Sequence, residues 1–65
     1  MKSYSSREII KSIENDGWYL YEVREDHHQF KHPHKNGRVT ITHPKKDIPV
    51  GTLKNIEKQA GIKFD

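Results

Sequence analysis

The chain has 65 residues, 31% of them hydrophobic, no cysteine and a formal net charge of +3. A chain this short buries only about 60% of its unfolded surface, which implies one domain over residues 1–65, with one thin core and no deep pocket. The missing cysteine excludes a disulfide framework and thiol chemistry, and leaves a zinc site only histidine and carboxylate ligands.

Met1–Ser6 carries no apolar run behind Lys2, so no signal peptide is expected. No segment approaches the ~20 apolar residues of a membrane span. The expected location is the cytoplasm. The basic balance fits a polyanionic partner as well as a plain solvated surface.

Ser5 and Glu8 stand at capping-box spacing, and Ile9, Ile10 and Ile13 follow on one helical face. With Gly17 as a stop, the pattern predicts a helix over residues 5–15. Residues 18–24, Trp-Tyr-Leu-Tyr-Glu-Val-Arg, lack a helical period and are aromatic and β-branched, which predicts a strand. Both of its faces carry large side chains, and Trp18, Tyr19 and Tyr21 are expected in the core rather than stacked on bases.

Glu25-Asp26 then turns the chain into a second strand over His27–His32. Alternation puts His28, Phe30 and His32 on one face and His27, Gln29 and Lys31 on the other. Phe30 is the apolar residue of the stretch, so its face meets the core. Pro33 ends the ladder, and Asn36-Gly37 is a strong hairpin signal. The segment 38–43 alternates cleanly, with Val39 and Ile41 inward and Arg38, Thr40 and Thr42 outward.

Residues 44–49 form a proline-bounded linker, after which Thr52 is placed to cap a second helix. Leu53, Ile56 and Ala60 line its apolar face, Gly61 ends it, and Ile62 supplies the hydrophobic contact that follows such an end. The expected fold is therefore α+β, in the order α-β-β-β-α. Both helices should pack on one face of a three-stranded antiparallel sheet and leave the other open.

That open face gathers His27, Gln29, Lys31, Arg38, Thr40 and Thr42. Cross-strand neighbours lie about 5 Å apart, so these groups are expected to act together on one substrate atom. Histidine beside cations and hydroxyls suits a phosphodiester. RNA carries its own nucleophile, the 2′-OH, and needs only a base, an acid and a cation for the developing charge. The same residues also suit an ordinary polar surface. A metal site is disfavoured, because adjacent histidines diverge across a strand and His28 and His32 stand about 13 Å apart. Lys45, Lys46 and Lys54 make a basic cluster near the second helix, readable as an RNA-backbone contact or as solvated charge.

The ordered blocks Asp16-Gly17-Trp18, residues 27–33 (HHQFKHP), Gly37–Ile41, His43-Pro44, residues 46–49, Gly51–Leu53 and Lys58–Gly61 resemble the HicA-type (YcfA-like) mRNA interferase toxins. The resemblance spans Ser5 to Ile62. It implies a fold similar to the double-stranded-RNA-binding domain and a metal-independent endoribonuclease, without cofactor, that cleaves mRNA and arrests growth. It also implies a masking partner, a HicB-type antitoxin. The family's essential histidine precedes an aromatic by three residues, which Phe30 registers onto His27, with His28 as the neighbouring fallback. Lys31, Arg38, Lys45, Lys46 and Lys54 are then the expected RNA contacts. Where the family has Gly-Ser, this chain has Glu25-Asp26, and Glu22 stands where a basic residue is expected. These carboxylates should favour a charged His27 and repel a phosphate backbone.

Overall fold

The computed structural model describes residues 3–64. Its elements are α1 (Ser6–Asn15), β1 (Tyr19–Arg24), β2 (His27–Lys31), β3 (Val39–Thr42) and α2 (Val50–Ala60). The strands form one antiparallel sheet in the order β1-β2-β3. The expected α-β-β-β-α order and antiparallel sheet are present. Among the described residues no helix is long and apolar enough to cross a membrane.

The capping box forms as its spacing requires. The Glu8 amide donates to Ser5 Oγ at 3.3 Å, and the Ser5 amide donates to Glu8 Oε1 at 3.0 Å. Two otherwise orphaned donors are thereby satisfied, and α1 starts with Ile9 and Ile13 fully buried. From α2, Leu53, Ile56 and Ala60 meet them. From the sheet come Phe30, Val39 and Ile41, all essentially inaccessible, so the alternation expected in β2 and β3 is realised. The helices lie chiefly against β3. Leu20 and Val23, across from Phe30 and His28, point to the same side but lie beyond this cover and stay exposed.

Trp18 falls just before β1 and plugs the core. Its indole Nε1 donates to the Ala60 carbonyl at 3.3 Å, tying the end of α2 to the start of the sheet. Tyr19 and Tyr21 depart from the expected core placement and are 50% and 36% exposed. Strand parity is the cause: Tyr19 pairs with Lys31 and Leu20 with Phe30, so Tyr19 and Tyr21 alternate onto the face away from the helices. There Tyr21 bonds Gln29 and Arg38, and a β-bulge after Leu20, with Glu22 opposite Gln29, re-aims the residues that follow, bringing Glu22 and Arg24 to the same face and Val23 to the helix side.

Two further expectations need correction. Thr52 does not cap α2. The helix begins at Val50 with Pro49 as its N-cap residue and no side-chain cap bond. The Leu53 amide closes the first turn on the Pro49 carbonyl at 2.9 Å, upstream of Thr52. Nor does Asn36-Gly37 make a two-residue hairpin, because β2 ends at Lys31 and β3 begins at Val39.

His32 explains the longer connection. Its Nδ1 accepts the amides of His34 at 3.0 Å and Lys35 at 3.2 Å. The proton must then sit on Nε2, which donates to the Asp16 carbonyl at 2.7 Å. A Cβ at Gly17 would stand 2.7 Å from that same Nε2, so residue 17 must be glycine for the imidazole to dock. Lys35 completes the clasp, donating to Asp16 Oδ2 at 2.6 Å and to the Ala60 carbonyl at 3.1 Å. The α2 end is closed by Gly61 at φ +70°, whose amide bonds the Glu57 carbonyl, as expected for a glycine stop.

The Lys35 hydrogen bond holds the Asp16 carboxyl below its ordinary pKa of 3.8. A lowered folded-state pKa contributes stability above the unfolded value that is lost as pH falls through the folded one. Asp16→Asn should therefore be less stable than wild type at neutral pH, and the gap should close below about pH 4. Urea midpoints measured from pH 7 down to pH 2 check this, and a gap independent of pH would contradict it.

Candidate nucleic-acid interface

The sheet face turned away from the helices is polar, and β2 runs through its middle. His27 opens that strand with an exposed side chain, flanked by Arg24 on β1 and Thr42 on β3. Next along the face, Gln29 lies between Glu22 and Thr40. Lys31 lies at the far end beside Tyr19. The strand period thus sorts the histidine cluster as expected: His27 faces open solvent, while Phe30 and His32 are buried on the helix side.

His28 also sits on the helix side, between Val23 and Ile41. Its ring meets His43 edge-on at 5.0 Å, and its Nδ1 is enclosed without a hydrogen-bond partner. His43 Nδ1 is in turn 2.6 Å from the buried Ser6 hydroxyl, which also accepts the Lys45 amide at 2.8 Å. These contacts fasten the 43–45 segment to α1 and turn both imidazoles away from the open face.

The geometry divides the expected site in two. Lys31 is four positions from His27, about 13 Å along an extended strand. The expectation that His27, Lys31 and Arg38 act on one atom is therefore not met. The cation directly across from His27 is Arg24, which sequence reading passed over. Only the register across the Glu25-Asp26 turn places it there. Its guanidinium is 75% exposed and 3.4 Å from Glu22, a contact weak enough to exchange for a phosphate.

At the far end, Arg38 donates to the Tyr21 hydroxyl at 3.4 Å. That bond pushes its guanidinium further above its ordinary range, so it is always charged. Tyr21 donates to Gln29 Oε1 at 3.2 Å, and the Lys31 ammonium lies 4.8 Å from its ring centroid.

Lys45 and Lys46 line a shallow recess of about 220 Å³ with Arg7 and His43. This recess is at the His27 end of the sheet, since the His43 amide bonds the Asp26 carbonyl at 2.8 Å. Lys54 lines a different recess, with Lys58 and Lys63. The expected three-lysine cluster is thus two separate basic surfaces.

The Glu25-Asp26 turn carries the chain's clearest local conflict. Glu25 has φ +56°, the left-handed region that disfavours a side chain. Asp26 Oδ1 is 3.7 Å from His27 Nε2, beyond hydrogen-bond range, with both side chains more than half exposed. Glu25→Gly should relieve the roughly 1–2 kcal/mol left-handed cost, less the ~0.5–1 kcal/mol that glycine loses in chain entropy. The expected gain is about 0.5–1 kcal/mol, read as a higher urea midpoint. An unchanged or lower midpoint would contradict the strain.

The family model described as the HicA toxin of bacterial toxin-antitoxin matches residues 6–62. A solved structure described as a HicA3 and HicB3 toxin-antitoxin complex contains a chain similar at 34% identity and TM-score 0.84, covering 94% of this chain and 98% of that one. No curated protein matches. The matched span takes in both helices, the whole sheet and the His27 end of its open face, and the chain belongs to the HicA toxin family.

Proposed function

We propose that this HicA-family toxin is a metal-independent endoribonuclease that cleaves mRNA in the cytoplasm, acting as one domain over residues 1–65 and held inactive by a HicB-type antitoxin. The observation that carries the reading is His27. It is the one histidine of β2 that combines an exposed imidazole, a place on the open sheet face and a cation across the strand. Its ring takes the 2′-OH proton as the oxygen attacks phosphorus, and a protonated imidazole returns a proton to the leaving 5′-oxygen. Arg24 stabilises the charge that develops on the phosphorane oxygens. Lys31 and Arg38 hold backbone further along the face, and Lys45, Lys46 and Lys54 draw RNA in by charge. The products carry a cyclic or 3′-phosphate and a 5′-hydroxyl.

The antitoxin reading rests on the similar chain's place in a toxin-antitoxin complex. Induced expression tests the whole proposal. Wild type should arrest growth, co-expression of a HicB-type antitoxin should relieve the arrest, and His27→Ala should grow normally at matched protein level. Equal growth of wild type and His27→Ala would remove the catalytic reading.

A second reading has one observation in its favour. Asp26 within 3.7 Å of His27 puts negative charge where a phosphate must sit, which suits a module that binds RNA without cutting it. That reading predicts salt-sensitive RNA binding with no cleavage at any pH.

A further inference from the structure

The end of the open face farthest from His27 is built as carefully as the His27 end. Tyr19 and Tyr21 are large aromatic side chains left exposed on a polar sheet face, although the core already has Trp18 and Phe30. Lys31 is paired across strands with Tyr19 and stands over the Tyr21 ring. Arg38 reaches the Tyr21 hydroxyl, which Gln29 holds from the next strand. Tyr21 follows Tyr19 onto this face by alternation, beside the Glu22–Gln29 pair that the bulge after Leu20 creates.

Exposed rings interleaved with cations are how proteins hold single-stranded nucleic acid: bases stack on the rings while the cations take the phosphates. We propose that Tyr19, Tyr21, Lys31 and Arg38 form a nucleotide-binding subsite for single-stranded RNA, separate from the scissile phosphate. The separation is about 13 Å along β2, more than one backbone repeat, with Gln29 and Thr40 lining the track between. The charge of Lys31 and Arg38 and continuity with the His27 face favour RNA over a protein partner. The inference rests on the RNA reading given above. It adds that the enzyme grips its substrate at a distance, so that a substrate's length, and not only the bond cut, governs its use.

The test compares a dinucleotide with an RNA of about six nucleotides, a length within the usual footprint of single-strand binding sites. Binding is measured on 2′-O-methyl versions, which lack the nucleophile, and cleavage on the natural ones. Wild type should bind the longer RNA at least about tenfold tighter and cleave it with correspondingly higher kcat/KM. Tyr21→Leu should remove most of that advantage and leave dinucleotide cleavage unchanged. Arg38→Gln should flatten the slope of log affinity against log salt by about 0.7. Tyr21→Phe keeps the ring and should retain the stacking part of the preference, which guards against a loss caused by misfolding.

An equal loss on both substrates would place the cluster at the scissile phosphate and overturn the subsite. No length preference in a cleaving wild type would overturn it alone, leaving the catalytic reading intact. A length preference in binding without any cleavage would sustain the subsite and overturn catalysis. No RNA affinity would end both. Variants that lose only antitoxin binding would reassign the patch to that partner and overturn the proposal.

Discussion

His27→Ala should lower the rate of RNA cleavage by the purified protein about 10²–10⁴-fold, the usual worth of a positioned acid–base group. The loss should appear in kcat, because an exposed imidazole across from Arg24 contributes proton transfer rather than grip. Folding should be untouched. The side chain is 52% exposed and its contact with Asp26 is longer than a hydrogen bond, so the urea midpoint should reflect a change within about 0.5 kcal/mol. His28→Ala provides the contrast, since His28 packs against His43 on the helix side. It should alter stability more than turnover. If His28→Ala abolished cleavage while His27→Ala left it intact, the assignment of faces to function would be reversed.

Trp18→Ala should cost about 3–5 kcal/mol, the range for emptying a buried aromatic site. A 65-residue domain holds roughly 3–10 kcal/mol in total, so the variant should be largely unfolded, or close to it, at room temperature. Three features make the site sensitive. The ring is 2% exposed, its Nε1 bonds the Ala60 carbonyl, and its edge meets His32 at 5.2 Å. Through His32 and Lys35 the loss would loosen the clasp that joins α1, α2 and the β2–β3 connection. Tyr19→Ala, one residue along but half exposed, should change stability by less than about 1 kcal/mol. Comparable losses at the two positions would refute the division of this aromatic stretch into plug and platform.

Much of this arrangement is legible in the sequence where a short-range rule has no competitor. Ser5 and Glu8 satisfy each other within one turn, so their spacing suffices to start α1. Val39 and Ile41 alternate with polar residues, so β3 has one possible orientation. The same period separates His27 from Phe30 and gives the open face its histidine. Residue placement is less legible where a long-range contact decides. Tyr19 and Tyr21 look like core because residues 18–24 carry large side chains on both faces; their face is decided by the pairing of Tyr19 with Lys31 across the sheet. Thr52 lost its capping role to Pro49, whose carbonyl closes the first turn upstream of it. Asn36-Gly37 lost the tight hairpin to His32, Lys35 and Asp16, which come together only in the folded chain. Arg24 was within reach of the sequence, since the two-residue turn expected at Glu25-Asp26 itself sets residue 24 opposite residue 27.

The Glu25-Asp26 turn is where chain geometry and family resemblance meet. The resemblance implies glycine where Glu25 stands, and Glu25 adopts the left-handed backbone that glycine favours. The chain keeps the turn's shape while adding two carboxylates beside the catalytic candidate. Arg24 and the Lys45–Lys46 surface at the same end of the sheet offset that charge.

The central claim is that a histidine on an open sheet face cuts RNA through the RNA's own 2′-OH. Incubating purified wild type with single-stranded RNA in excess EDTA, and determining the chemistry of the new ends, tests it most directly. Fragments with 5′-hydroxyl and cyclic or 3′-phosphate ends are expected, and none from His27→Ala. Intact RNA, or fragments ending in 5′-phosphate and 3′-hydroxyl, would contradict it.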